Sequence, residues 1–124
     1  MGRRSEIHEL ERRISEYWNK IDKLESAAET IRQEQAIIES DVLKPNRTYD
    51  MSSADEWRGN FSQKAKEYQA EIDSKVSSGL RATERLLSSI QKAIERLHEL
   101  IRECEERISE LEAEIEAESC AERM

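Results

Sequence analysis

Proline, glycine and aromatic side chains are nearly missing from this chain of 124 residues, which has one proline, three glycines and 5% aromatics. Strand formers are as scarce, with two valines and three threonines against 23 glutamates and nine leucines. A sheet lives on β-branched and aromatic residues, so a catalytic α/β or all-β domain is excluded. Apolar residues make up 36% of the chain, against about 45–50% in an ordinary globular domain. That is too few for a thick layered core. The composition, with 39% charged residues, instead suits long helices that share a narrow apolar seam, and the length allows one domain.

Clustered positive charge is also lacking. Of the net charge of −8, residues 1–44 contribute 8 basic and 10 acidic groups, residues 45–80 contribute 5 and 6, and residues 81–124 contribute 7 and 12. A phosphate backbone needs a basic strip and an anionic membrane repels the acidic end, so neither nucleic acid nor a membrane surface is an expected partner. No apolar run nears the roughly 20 residues that span a bilayer. The start, Met1-Gly2-Arg3-Arg4-Ser5-Glu6, has no apolar stretch behind it as a cleaved leader would. The expectation is a cytoplasmic protein, or one that leaves the cell folded under another address. The two cysteines, Cys104 and Cys120, would stand about 24 Å apart on one helix, beyond disulfide reach; Cys104 falls on the apolar seam and reads as a small buried residue.

What is present is periodic. Ile7, Leu10, Ile14, Tyr17, Ile21, Leu24, Ala28, Ile31, Gln35, Ile38 and Val42 alternate three- and four-residue steps, the coiled-coil period. Glu9–Arg13 and Glu16–Lys20 have helical i,i+4 spacing on the outer face. Ser5 is a candidate N-cap, and Pro45 is expected to end this helix near Leu43. Gln35, the polar member of the seam, either fixes register or lies at its edge. Residues 44–53 read as a loop, and Ser53-Ala54-Asp55-Glu56 reads as a capping box that starts the second helix. Its seam is Trp57, Phe61, Ala65, Tyr68, Ile72, Val76, Gly79, Thr83, Leu86, Ile90, Ile94, Leu97, Ile101, Cys104, Ile108, Leu111 and Ile115, with four-residue stutters as at 86–90–94.

The expected fold is therefore all-α, an elongated antiparallel helical hairpin with a longer second helix: helix 5–43, loop 44–53 and helix 54–118 in a single domain, 1–124. A break at Ser77-Ser78-Gly79, giving three helices, is the alternative to a continuous second helix. At 1.5 Å per residue the first helix, roughly 58 Å long, covers the second only to about residue 92 of its roughly 97 Å. The rest of the second helix then carries an apolar stripe with nothing in the chain to cover it, which implies a partner. Eight glutamates between 103 and 118 face a lone Arg107, so fraying past about residue 115 is expected. A basic strip on the partner would complement them.

Trp57-Arg58-Gly59 stands at the head of the second helix, an aromatic anchor beside a residue that permits close backbone approach. A helix of about 40 residues, a short loop, Trp-x-Gly and a second long helix resemble the WXG superfamily of small type VII secretion proteins. The match is closer to the YwqH-like proteins of Gram-positive bacteria, encoded beside LXG-domain toxins, and runs from Leu10 to Ile38, through Pro45, to Trp57-Arg58-Gly59 with Phe61 and Ala65. The resemblance implies a non-enzymatic accessory, chaperone or targeting subunit that pairs with the helical N-terminal LXG domain of a toxin, with a second small helical protein as a further possible partner. The export motif of such relatives, Tyr-x-x-x-Asp/Glu, has no counterpart here, since Tyr17, Tyr49 and Tyr68 are followed four residues on by Ile21, Ser53 and Ile72. The address then comes from a partner, or the protein stays inside as a chaperone.

Chemistry is sparse. Glu95-Arg96-Leu97-His98 has the Glu-x-x-His spacing of di-iron bundles, but a di-metal site needs a second such motif and His8 has Ser5 at that position. No metal or other cofactor is expected, both histidines are read as solvated, and there is no nucleophile with a supporting base. The expected docking residues are Trp57, Gly59 and Phe61 at the tip and Leu86, Ile90, Ile94, Leu97, Ile101, Ile108 and Leu111 along the stripe. The rival reading of the same stripe is a homodimer, a self-associating cytoplasmic coiled-coil scaffold or adaptor.

Overall fold

The computed structural model describes residues 2–49 and 59–123, excepting the side chains of 59–62. Helix α1 spans Arg3–Ile38, a π-helical turn Glu39–Leu43 follows, α2 is Lys44–Thr48, and α3 is Gly59–Arg123. Among the described residues there is no strand. The fold class is all-α, with a shorter first helix and a longer second one paired antiparallel. By contacts the chain divides into two units, Met1–Ala27 with Ile90–Met124 and Ala28–Ser89.

In the first unit the two helical stretches close an apolar seam. Leu10, Cys104 and Leu111 form one buried cluster flanked by Ile7, Ile14, Tyr17 and Ile108. Ile21, Ile94 and Ile101 form the other, flanked by Leu24, Ile90 and Leu97. Ile21 and Leu111 are each only 1% exposed. The expected uncovered stripe is therefore not there: the start of α1, not a partner, covers Ile94, Ile101 and Leu111. The sequence estimate failed because it ended the first helical stretch near Leu43 and paired the second from residue 54 onward, whereas Asn46 meets Gln69 and Arg47 meets Asp73. Cys104 is a buried free thiol, as its seam position implied, and Cys120 is exposed.

The same pairing supplies the charge that the acidic segment lacked in sequence. The Arg3 guanidinium donates to Glu114 at 2.8 Å and also to Glu118. Arg107 donates to Glu6 and Glu110, each at 3.2 Å. α3 accordingly stays helical to Arg123 and does not end near 115 or 118. At this same end the Glu6 amide bonds the Gly2 carbonyl at 3.2 Å, so helix begins ahead of Ser5. Glu9 takes Arg13 at 3.4 Å as its spacing suggested, while Glu16 takes Arg12 at 2.5 Å and not Lys20.

In the second unit the helical path passes Pro45, where the sequence pattern expected a stop. The turn Glu39–Leu43 widens so that the Lys44 amide bonds the Glu39 carbonyl, five residues back. Widening eases the clash between a proline ring and the carbonyl four residues earlier, and Pro45 then sits in the first turn of α2, where its missing N–H costs least. α3 runs unbroken through Ser77-Ser78-Gly79, where a helix-interior glycine costs only about 1 kcal/mol.

The seam on α3 also differs from the apolar pattern. Gln69, Asp73, Val76, Leu80, Thr83 and Leu87 are buried or half-buried here in alternating steps of four and three, with Ala65 and Ser77 half-buried beside them. Tyr68, Ile72 and Leu86, picked out by their side chains, lie one position off and are exposed. Constant geometry prevails over side-chain type, because a stutter would unwind the pairing locally. Gln35 is a seam member, donating to Glu84 at 2.7 Å.

Truncation at the centre of the first unit's seam should show where its stability lies. Ile21→Ala is expected to cost about 2–5 kcal/mol of unfolding free energy in urea, whereas Ile37→Ala, at a 49% exposed position, should change it by less than about 0.5 kcal/mol. Equal effects would contradict this account.

Candidate interaction surface

The residues proposed from sequence for docking are distributed very differently by the fold. Ile94, Ile101 and Leu111 are buried, and Ile90, Leu97 and Ile108 are half-buried against them. Their apolar area is spent inside the first unit, so they form no free face. Trp57 and the side chain of Phe61 lie outside the described residues, as does the capping box, and Gly59 is the first residue of α3. Leu86 alone of the stripe is exposed, at 51%.

The exposed large apolar residues among those described are Trp18, Ile37, Ile38, Val42, Tyr49, Tyr68, Ile72 and Leu86. All but Trp18 belong to the second unit. For Ile38 and Val42 the position goes with the π-helical turn, which Ile38 directly precedes and Val42 lies in. Eight residues separate the half-buried Gln35 from the buried Leu43 where a heptad needs seven. The extra residue turns Leu43 inward and leaves Ile38 and Val42, which continue the upstream period, facing out. Val42, Pro45, Tyr49 and Ile72, with Asp41 and Asn46, line an open groove of about 330 Å³. Sequence reasoning had Val42 and Ile72 as seam residues; the signal it missed was the residue that a π-turn adds.

Polar side chains fasten α2 to α3 beside this groove. The Asn46 amide donates to the Gln69 carbonyl at 2.9 Å, and the Gln69 amide donates to the Asn46 carbonyl at 2.5 Å. The Arg47 guanidinium donates to Asp73 at 2.5 Å and to the Ser77 hydroxyl at 3.1 Å. The Ser77 hydroxyl in turn donates to Asp73 at 3.3 Å. Hydrogen bonding from Arg47 holds the Asp73 carboxyl below its ordinary value, against a smaller opposing effect of burial. In the first unit the Trp18 ring meets the His98 ring edge-on at 5.4 Å, so His98 is a packed residue, not a solvated one.

Among the described residues no group of His, Cys, Asp or Glu is arranged to hold a metal ion, and no helix is long and apolar enough to cross a membrane. What the second unit offers is apolar contact: ridges of Ile, Val, Leu and Tyr edged by charge, the chemistry by which helices pack on helices. The sequence matches the family model described as YwqH-like over residues 2–118. No curated protein and no solved structure matches it.

The Arg47–Asp73 pair makes a pH prediction. A carboxyl with a folded-state value below its unfolded one stabilises fully above the unfolded value, near 3.8 here, and loses that contribution as pH falls through the folded value. Replacing Asp73→Asn should therefore lower the melting temperature at pH 7, and the gap to wild type should shrink toward pH 3. A gap that stays constant or widens in acid would refute the assignment. Arg47 is exposed and Asp73 only half-buried, so the effect should be small and weakened by salt.

Proposed function

The chain belongs to the YwqH-like family, and from that premise we propose that it is a non-enzymatic accessory subunit which binds the helical N-terminal LXG domain of a toxin for type VII secretion. The observation that carries this reading is the row of exposed apolar side chains in the second unit, Ile38, Val42, Ile72 and Leu86 among them. Single exposed apolar residues are ordinary; so many in one unit of a chain this poor in apolar residues favour a docking surface. Trp57-Arg58-Gly59 supports the WXG resemblance, standing directly before and at the first residue of α3.

Docking on this reading falls to Leu86 and the Val42–Ile72 groove, since Ile94, Ile101 and Leu111 are already covered. The partner is an amphipathic helix, or a pair of them, that lays its apolar face along α3. Holding that face covered until export is a chaperone's task, and the partner would carry the export address. A self-associating scaffold would use the same surface with a second copy in place of the toxin.

Co-purification with the LXG region tests the proposal. Leu86→Asp and Ile72→Asp are expected to keep the helical circular dichroism and melting temperature of wild type and to weaken partner binding at least about tenfold, a loss of roughly 1.4 kcal/mol or more. Wild-type binding by both variants would defeat it. Capture of a second copy in place of the toxin region, lost in the same variants, would favour the scaffold.

A further inference from the structure

The second unit carries two apolar seams, of which the folded chain uses one. On α3 the occupied seam is Asp73, Val76, Leu80, Thr83 and Leu87. Beside it runs a second, Ile72, Val76, Gly79, Thr83 and Leu86, again in alternating steps of four and three. The two share Val76 and Thr83, both half-buried. Passing from one to the other is a rotation of about 50°, half the 100° step between neighbouring helical residues. Gly79 faces open space in the occupied register and brings no side chain with it when it turns inward.

The first helical stretch of this unit is double in the same way. With the π-helical turn Glu39–Leu43 in place, Leu43 is buried and Val42 is 42% exposed. Were the turn to relax to α-helix, the period Ala28, Ile31, Gln35, Ile38, Val42 would run on without a break, carrying Ile38 and Val42 inward. The discontinuity would then move to α3, as one four-residue step between Leu86 and Ile90. Each register thus has one irregularity, a π-turn in α1's continuation or a stutter in α3. The occupied one keeps the polar Gln69 and Asp73 in its seam and leaves the apolar Ile72 and Leu86 out.

We infer that the π-helical turn Glu39–Leu43 is a register switch: in one setting the second unit presents Ile38, Val42, Ile72 and Leu86, and in the other it withdraws them into its own seam. It deepens the proposed function, on whose docking surface it rests, by making that surface conditional. A partner helix that binds these residues selects the presenting register, and without the partner the withdrawn register competes with it. The ties that hold the presenting register, Asn46–Gln69 and Arg47–Asp73, are polar and solvent-edged, as a reversible element requires.

Thiol labelling of the full chain tests this without any partner. With Cys120→Ser removing the exposed native thiol, Leu86→Cys is expected to react at least about tenfold faster than Leu87→Cys with a maleimide. Deleting Ser40, which brings Leu43 to the seam through plain α-helix, should lock the presenting register and slow the labelling of Leu87→Cys several-fold. Unchanged or faster labelling of Leu87→Cys in a helical deletion protein would overturn the inference. The second variant keeps the chain length: Leu43→Ser, which weakens only the presenting register, should slow labelling of Ile72→Cys several-fold. A unit that is merely loosened would label faster, so an unchanged or faster rate there overturns the switch, whatever the deletion does. Slower labelling together with failed partner binding would defeat the toxin reading and leave the switch standing.

Discussion

A helix of 3.6 residues per turn must keep an apolar seam of period 3.5 turned toward its neighbour, and everything in this chain depends on how that mismatch is met. From Gln69 to Ile115 α3 meets it by strict alternation, accepting glutamine, aspartate and threonine in the seam to do so. The first helical stretch meets it as far as Gln35 and then takes in one extra residue. Which side chains are inside, which line the groove by Val42, and how Pro45 is passed all follow from that residue. The insertion is local, yet it decides the face shown by everything between Ile38 and Thr48.

The two units divide the burden unevenly. Leu10, Ile21, Ile94, Ile101, Cys104 and Leu111 make the first an apolar zipper, with ion pairs along its rim. Among the described residues of the second, Ala28, Leu43 and Leu87 are buried, and much of the cross-pairing is polar: Gln35 to Glu84, Asn46 to Gln69 and Arg47 to Asp73. Buried apolar contacts hold a folded state far more firmly than solvent-edged polar ones. Local opening therefore concentrates in the second unit, where the surface proposed for binding also lies.

Much of this was legible in the sequence. Helices paired antiparallel, the seam from Ile7 to Gln35 and the burial of Cys104 followed from spacing alone, because period is a property of the backbone that side chains merely report. Three things were not legible. Pro45 signalled a stop, since sequence shows the missing N–H but not the widened turn that tolerates it. Tyr68, Ile72 and Leu86 outbid Gln69, Asp73 and Leu87 for the seam because an apolar count rewards side chains and ignores phase. Arg3, far away in sequence, could not be matched to Glu114 and Glu118 until the pairing was known. That one displacement of the pairing turned covered residues, Ile94, Ile101 and Leu111, into an apparent docking stripe.

In the first unit Arg3 lies against Glu114 and Glu118, so the two ends of the described chain leave from the same end of that seam. Tension applied between them peels the helices apart layer by layer, beginning at Ile7 and Leu111, and does not slide them past one another. Each layer yields before the next is loaded, so the resistance at any moment is that of a single pair of side chains. Force applied there opens the first unit as a zipper, from the end where Ile7 and Leu111 lie.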